Sequence, residues 1–121
     1  MTERGHRVPL GAARRSEHDS RAALELVDAL ARAHVAGLDL TRRLCAAQAL
    51  ADASEALSHA LVDAAADTPW DEAAIRRAVA ASSACESHAA REEAVTREWA
   101  AHKARVSEML EQAATLLARS F

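Results

Sequence analysis

The chain has 121 residues, half of them hydrophobic, yet these include one phenylalanine, two tryptophans and no tyrosine. Much of the apolar share is alanine, the strongest helix former and a residue that lets helices approach closely. A mixed α/β core normally needs larger side chains. The net charge is −3, and residues 1–16 hold four arginines against one glutamate. The remainder is therefore acidic, which argues against general nucleic-acid binding.

Residues 1–15 are expected to form a flexible basic tail, because Gly5, Pro9 and Gly11 interrupt them. They contain no apolar run long enough for a signal peptide, and no later segment approaches the roughly 20 apolar residues of a membrane span. We therefore expect a cytoplasmic protein without a membrane segment. The high arginine and alanine content, with a single lysine, is typical of a GC-rich bacterial genome.

The next segment, about residues 17–66, carries two apolar stripes at helical spacing. Two stripes on one helix indicate that it is covered on more than one side. Either the chain dimerises, or the helix breaks near Gly37 and restarts at Asp39 or Thr41 as a third helix. A continuous or gently kinked helix is the favoured alternative. One stripe consists of Leu24, Val27, Ala31, His34 and Leu38, and the other of Leu26, Leu30, Ala33, Gly37, Leu40, Leu44 and Ala47.

A turn is predicted at residues 67–69, because Pro69 is the only proline after Pro9. Thr68 suits the N-cap of a second helix and Pro69 its first position, where a missing N–H costs nothing. The second helix is expected over about residues 70–119. The fold class is therefore all-α: an antiparallel, coiled-coil-like hairpin in residues 16–121, completed by dimerisation. Its register would place His34 beside His102.

The second helix contains a seam of apolar or small residues at alternating steps of three and four, the spacing of a coiled coil. Leu110 and Leu117 widen it near the C-terminus, so that end is expected to pack best. The seam residues are Ile75, Ala78, Ser82, Cys85 and Ala89, followed by Val95, Trp99, His102, Val106, Met109, Ala113 and Leu116.

Histidine supplies the candidates for a metal site. The predicted register brings together His34, Glu98 and His102, two histidines and a carboxylate. Hemerythrin-like and ferritin-like bundles use such groups, and the segment from His88 to Glu92 resembles one fragment of them, but their full ligand sets are absent. We therefore expect neither a metal nor another cofactor. The chain also lacks a glycine-rich phosphate loop, a nucleophile elbow and a dinucleotide fingerprint, so we expect no enzyme activity.

The function predicted from these features is that of a non-catalytic subunit that binds another protein or a second copy of itself. In general plan the chain is similar to small helical export chaperones and to hairpin stalk proteins of flagellar and type III secretion systems. An adaptor, chaperone or assembly role follows from that likeness. The alternatives are a metal-binding four-helix bundle and a helical small subunit of a nucleoprotein complex. The residues expected to contact a partner are Trp70, Leu26, Leu30, Leu40 and Leu44.

Overall fold

The computed structural model describes the backbone of residues 10–120 and the side chains of residues 17–119. Two helices, α1 at Leu10–Asp67 and α2 at Glu72–Ser120, account for nearly all of this part of the chain. They pack against each other as a hairpin, and the described residues include no strand. The predicted all-α hairpin is confirmed. Because α1 begins at Leu10, residues 10–15 of the expected tail are helical, and residues 1–9 lie outside the described residues.

The connection between the helices is a four-residue turn from Thr68 to Asp71. The Thr68 backbone N–H donates to the Ala65 carbonyl (3.2 Å), and its hydroxyl donates to the Ala64 carbonyl (3.0 Å). Thr68 thus supplies hydrogen bonds to two carbonyl groups in the last turn of α1. The Asp71 N–H then donates to the Thr68 carbonyl at 3.0 Å. Pro69 occupies the second position of this turn, where its fixed φ is favoured.

Asp71 caps the start of α2. One carboxylate oxygen, Oδ1, accepts from the backbone N–H groups of Ala73 (3.0 Å) and Ala74 (3.3 Å). The Asp71 carbonyl accepts the first helical hydrogen bond, which the Ile75 N–H donates at 3.2 Å. These are the contacts of an N-cap residue. The prediction of Thr68 as N-cap was wrong, because its hydroxyl is occupied at the end of α1 and the turn extends to Asp71.

Helix α1 continues without a break through Gly37. The glycine has ordinary helical backbone, since no glycine among the described residues has a positive φ. Its role is to make room: a Cβ at this position would lie 2.9 Å from Nε2 of His102 on α2. The Thr41 hydroxyl, considered as the cap of a third helix, instead donates to the Gly37 carbonyl at 2.8 Å within α1. The alternative with three helices is therefore wrong.

The described residues belong to two compact units, one at Ala36–His102 and the other at Met1–Val35 with Lys103–Phe121. Three pairs fix the register inside the first unit. The Ser58 and Ser82 hydroxyls lie 3.1 Å apart, Arg43 pairs with Glu98 at 3.0 Å, and Gly37 faces His102. This register differs by about three residues, nearly one helical turn, from the predicted one. The longer turn accounts for most of that difference.

Small side chains fill the seam of the Ala36–His102 unit. On α2 the buried residues include Ala74, Ala78 and Ala81, whereas the predicted seam members Ile75, Ser82 and Ala89 are exposed or only half-buried. The predicted seam was thus displaced by one residue at Ile75, Ser82 and Ala89, and correct at Ala78, at Cys85 and from Val95 onward. The buried residues of the unit are Leu40, Ala47, Ala51, Ser58, Ala74, Ala78, Ala81, Val95 and His102.

The other unit buries its seam less completely. Among residues 17–35 and 103–119, no side chain is fully buried. Asp19 and Arg119 form an ion pair between the helices at 3.6 Å. The expectation that the C-terminal end packs best was wrong, because Leu110 and Leu117 lie beside the seam and remain exposed. The half-buried seam residues of this unit include Leu26, Leu30, Ala33, Val106, Met109, Ala113 and Leu116.

Candidate protein-binding surfaces

An open groove lies between the helices just before and after the turn. Val62 on α1 and Ile75 and Val79 on α2 line it, together with Ala65 and Ala78. The three larger side chains remain 42–64 % exposed. Ser82, Ser83 and Glu86 complete the lining on the side away from the turn. We call this the turn groove. Its larger residues were not selected from the sequence, where Ile75 was assigned to the seam.

The sequence around the turn groove is strongly acidic. Residues 52–86 contain seven acidic side chains and only two arginines, Arg76 and Arg77. Glu86 lines the groove itself, and Asp71 and Glu72 follow the turn directly. Exposed charges of one sign create a local electrostatic potential of that sign, which favours a partner surface of opposite charge. The turn groove therefore combines an apolar floor with acidic surroundings.

Trp70 occupies the third position of the turn and is 77 % exposed. The sequence left two alternatives for this residue: packing over the start of α2 against Val62 or Ala66, or standing free as an anchor for a partner. At this exposure, packing against Val62 or Ala66 leaves most of the side chain uncovered, and a role as an anchor for a partner stays a prediction. A large aromatic side chain with a polar N–H is among the residues that contribute most at protein interfaces.

The other four residues predicted to contact a partner lie on the seam between the helices. Leu40 is buried, and Leu26, Leu30 and Leu44 are half-buried. In a two-helix hairpin, side chains on one helix are covered by the other helix. The side chains of α1 that remain uncovered are thus those of the first stripe, and contact of the four leucines with a partner stays a prediction.

The uncovered stripe is most apolar in the N-terminal part of α1. Leu24, Val27 and Val35 are 63–71 % exposed. Together with Ala31 they follow one another at steps of three and four residues, so they share one helix face. We call these four residues the N-terminal stripe. The sequence predicted Leu24, Val27 and Ala31 on such a stripe but placed His34 after them in place of Val35.

The three residues predicted as candidates for a metal site, His34, Glu98 and His102, lie in three different surroundings. Glu98 pairs with Arg43 across the helices at 3.0 Å. His102 is buried, and its ring lies over Gly37, whereas His34 is exposed. Among residues 17–119, no group of three or more histidine, cysteine, aspartate or glutamate side chains is arranged to hold a metal ion. Cys45 and Cys85 are free thiols, the first exposed and the second half-buried.

A second open groove lies within the other unit and is mostly polar. Leu26 and Leu116 contribute its apolar part. Its charged lining residues are three glutamates and one arginine. The polar lining residues are Glu25, Glu108, Glu111, Gln112, Thr115 and Arg119.

Comparison with known proteins found no matching family model, no similar curated protein and no similar solved structure. Neither described helix contains a stretch that is both long and apolar enough to cross a membrane.

Proposed function

We propose that this chain is a non-catalytic helical subunit that binds another protein molecule through the apolar surfaces its own hairpin leaves uncovered. The observation that carries the proposal is the turn groove, where Val62, Ile75 and Val79 stay about half exposed beside a seam of buried alanines. Contiguous apolar surface on a soluble chain commonly marks an interaction site. Covering these three side chains would contribute about 1 kcal/mol each, since complete burial of such residues gives about 1.5–3 kcal/mol.

Trp70 supports the same interpretation. It is a further large apolar side chain at the turn, where the described chain offers it little cover. A partner helix lying in the turn groove and contacting the indole would bury apolar side chains at helical spacing, which is the usual mode of helix recognition by a groove.

The test is the mass of the native assembly that contains this chain. Native mass spectrometry of the protein, isolated gently from the cells that encode it, should show an assembly heavier than the single 12.9 kDa chain. The double substitution Val62→Asp and Val79→Asp should release the chain as a monomer with unchanged helix content by circular dichroism. A native protein that is already monomeric in the extract would contradict the proposal.

A further inference from the structure

We infer that the turn groove binds a basic amphipathic helix of another protein, one that carries aliphatic side chains on one face and arginine or lysine on both sides of that face. This inference rests on the proposed function and names the class of partner. The whole groove lies within the Ala36–His102 unit, so one compact part of the chain forms the site.

The backbone around the groove favours a helix over an extended peptide. The groove is lined by side chains of α1 and α2, whose backbone hydrogen bonds are made within the helices. An extended peptide takes its backbone partners from the edge of a sheet, and the described residues include no strand. A helix satisfies its own N–H and C=O groups and can place a ridge of side chains between two other helices. The occupant that fits this site is therefore a third helix.

Acidic side chains flank the groove on both of its helices. Glu86 lines it on α2, and Glu72 of the same helix lies seven residues before Val79. On α1, Glu55 lies seven residues before Val62. Seven residues make nearly two helical turns, so each of these two glutamates shares a helix face with its groove residue. All three glutamates are exposed, and a helix in the groove would have negative charge along both of its sides.

Positive charge is sparse on this side of the unit. Residues 52–86 contain two arginines, of which Arg77 lies two residues from both Ile75 and Val79, about 200° around the helix and so on the opposite side. Arg76 lies seven residues before Ser83, a lining residue, and shares its face. Three glutamates therefore outweigh one arginine, and the local potential is negative. Arginine or lysine beside the apolar face of a partner helix complements that potential.

A second copy of this chain does not offer such a helix at its exposed apolar stripes. Residues 17–35, which contain the N-terminal stripe, hold four acidic side chains against two arginines and so carry the same sign of charge as the groove. Residues 103–119, which contain the exposed Leu110 and Leu117, hold three basic and two acidic side chains and are nearly neutral. Like charges across an interface suppress pairing. The charges thus favour a different protein as the partner.

Photo-cross-linking in the native assembly identifies the occupant. The chain is expressed in the cells that encode it with p-benzoylphenylalanine in place of Val79, and irradiation joins this residue to the molecule in the groove. Mass spectrometry should identify a segment of another protein with apolar residues at steps of three and four, and about three more basic than acidic residues in about 18. The same probe in place of Leu57 should not join to that segment. Leu57 is a matched control because it is 56 % exposed, lies in the same unit and does not line the groove.

Charge reversal tests whether the acidic side chains select the partner. Added to the probe at position 79, Glu86→Arg should lower the yield of that cross-link at least about fivefold, because it places positive charge beside a basic helix. Asp39→Arg makes the same change in net charge at an exposed position of the same unit outside the groove, and should lower the yield less than about twofold. Circular dichroism should show unchanged helix content for both variants. Equal yields for the two variants would overturn the inference.

The identity of the cross-linked segment separates this inference from the proposed function. A neutral or acidic segment, a second copy of this chain, or no cross-link from position 79 in an assembly heavier than the single chain would overturn the inference and leave the proposed function standing. A native protein that is already monomeric would overturn both.

Discussion

The two units of the hairpin share a two-helix plan but differ in how far they bury their seams. Among the side chains of residues 17–119, all nine that are buried belong to Ala36–His102, and most of them are alanine or serine. The other unit places larger residues such as Leu26, Leu30 and Met109 on its seam, and they remain half-buried. The better buried seam is thus the one in which small side chains predominate.

The physical reason is that a seam residue in a hairpin is covered by one neighbouring helix only. An alanine side chain ends within the narrow space between two closely spaced helices, whereas leucine and methionine reach past the edge of the neighbour. Gly37 shows the same effect at its limit, because the absence of a Cβ is what accommodates the His102 ring. A third or fourth helix would cover the half-buried leucines and methionine more completely.

Insertion of a large side chain into each seam should give the largest difference between the units in the loss of unfolding free energy. Ala81→Leu should lower the free energy of unfolding by about 2–3 kcal/mol, because Ala81 is buried on the seam and does not line the open turn groove, so the added atoms have little space. Ala113→Leu, on the half-buried seam, should change it by less than about 0.5 kcal/mol. Urea denaturation measures both. Ala80→Leu, at an exposed position of α2, is the control, and an equal loss for all three variants would contradict the comparison.

Truncation should give the next largest difference. Val95→Ala removes two methyl groups from a site that is 5 % exposed and should cost about 2 kcal/mol, including the cavity that remains. Met109→Ala removes more atoms but from a half-buried site, and should cost about 1 kcal/mol or less. Thermal and urea unfolding of both variants test this order. A larger loss from Met109→Ala than from Val95→Ala would contradict this order, because it would mean that the seam of the unit containing Met109 is the better packed of the two.

The Asp71 cap fixes the start of α2, which lies within the tightly packed unit. Asp71→Ala should lower stability by about 1 kcal/mol, because the N–H groups of Ala73 and Ala74 lose their acceptor. Asp71→Ser keeps an acceptor oxygen and should cost only a few tenths of a kcal/mol. Denaturation of the two variants side by side provides the measurement. A loss from Thr68→Ala larger than that from Asp71→Ala would show that the cap has been assigned to the wrong residue.

The close contact between Gly37 and His102 predicts a smaller effect on the free energy of unfolding, which a double-mutant cycle can measure. Alanine is about 1 kcal/mol more favourable than glycine inside a helix, so Gly37→Ala should stabilise a chain that already carries His102→Ala. With His102 present, the new Cβ displaces the ring, and the gain should be smaller by at least about 0.5 kcal/mol. Equal effects of Gly37→Ala in the two backgrounds would mean that the glycine and the histidine do not interact.

The sequence predicted the helices and the turn because glycine and proline are nearly absent from residues 17–119, and Pro69 stands between two long alanine-rich segments. It predicted the α2 seam from Val95 onward because Val95, Trp99 and Val106 are large and regularly spaced. Near the turn the prediction failed. Ile75 is more apolar than Ala74, yet alanine is buried there because the helices are closely spaced.

The candidate site was less accessible to sequence reasoning. Both α1 stripes were recognised, but leucine content favoured the one that contains Leu26, Leu30 and Leu40. Which α1 stripe faces α2 depends on the register between the two helices. That register is set by the Asp71 cap and the length of the turn. A prediction based on apolar size alone could not distinguish the two stripes.

Amide hydrogen exchange of the purified chain across a concentration series tests the central claim most directly. Free-energy differences between regions appear in exchange as differences in protection. At low concentration, amides of residues 40–98 should be well protected, while those of residues 17–35 and 103–119 exchange faster. Equal protection of both units in the dilute monomer would contradict the account.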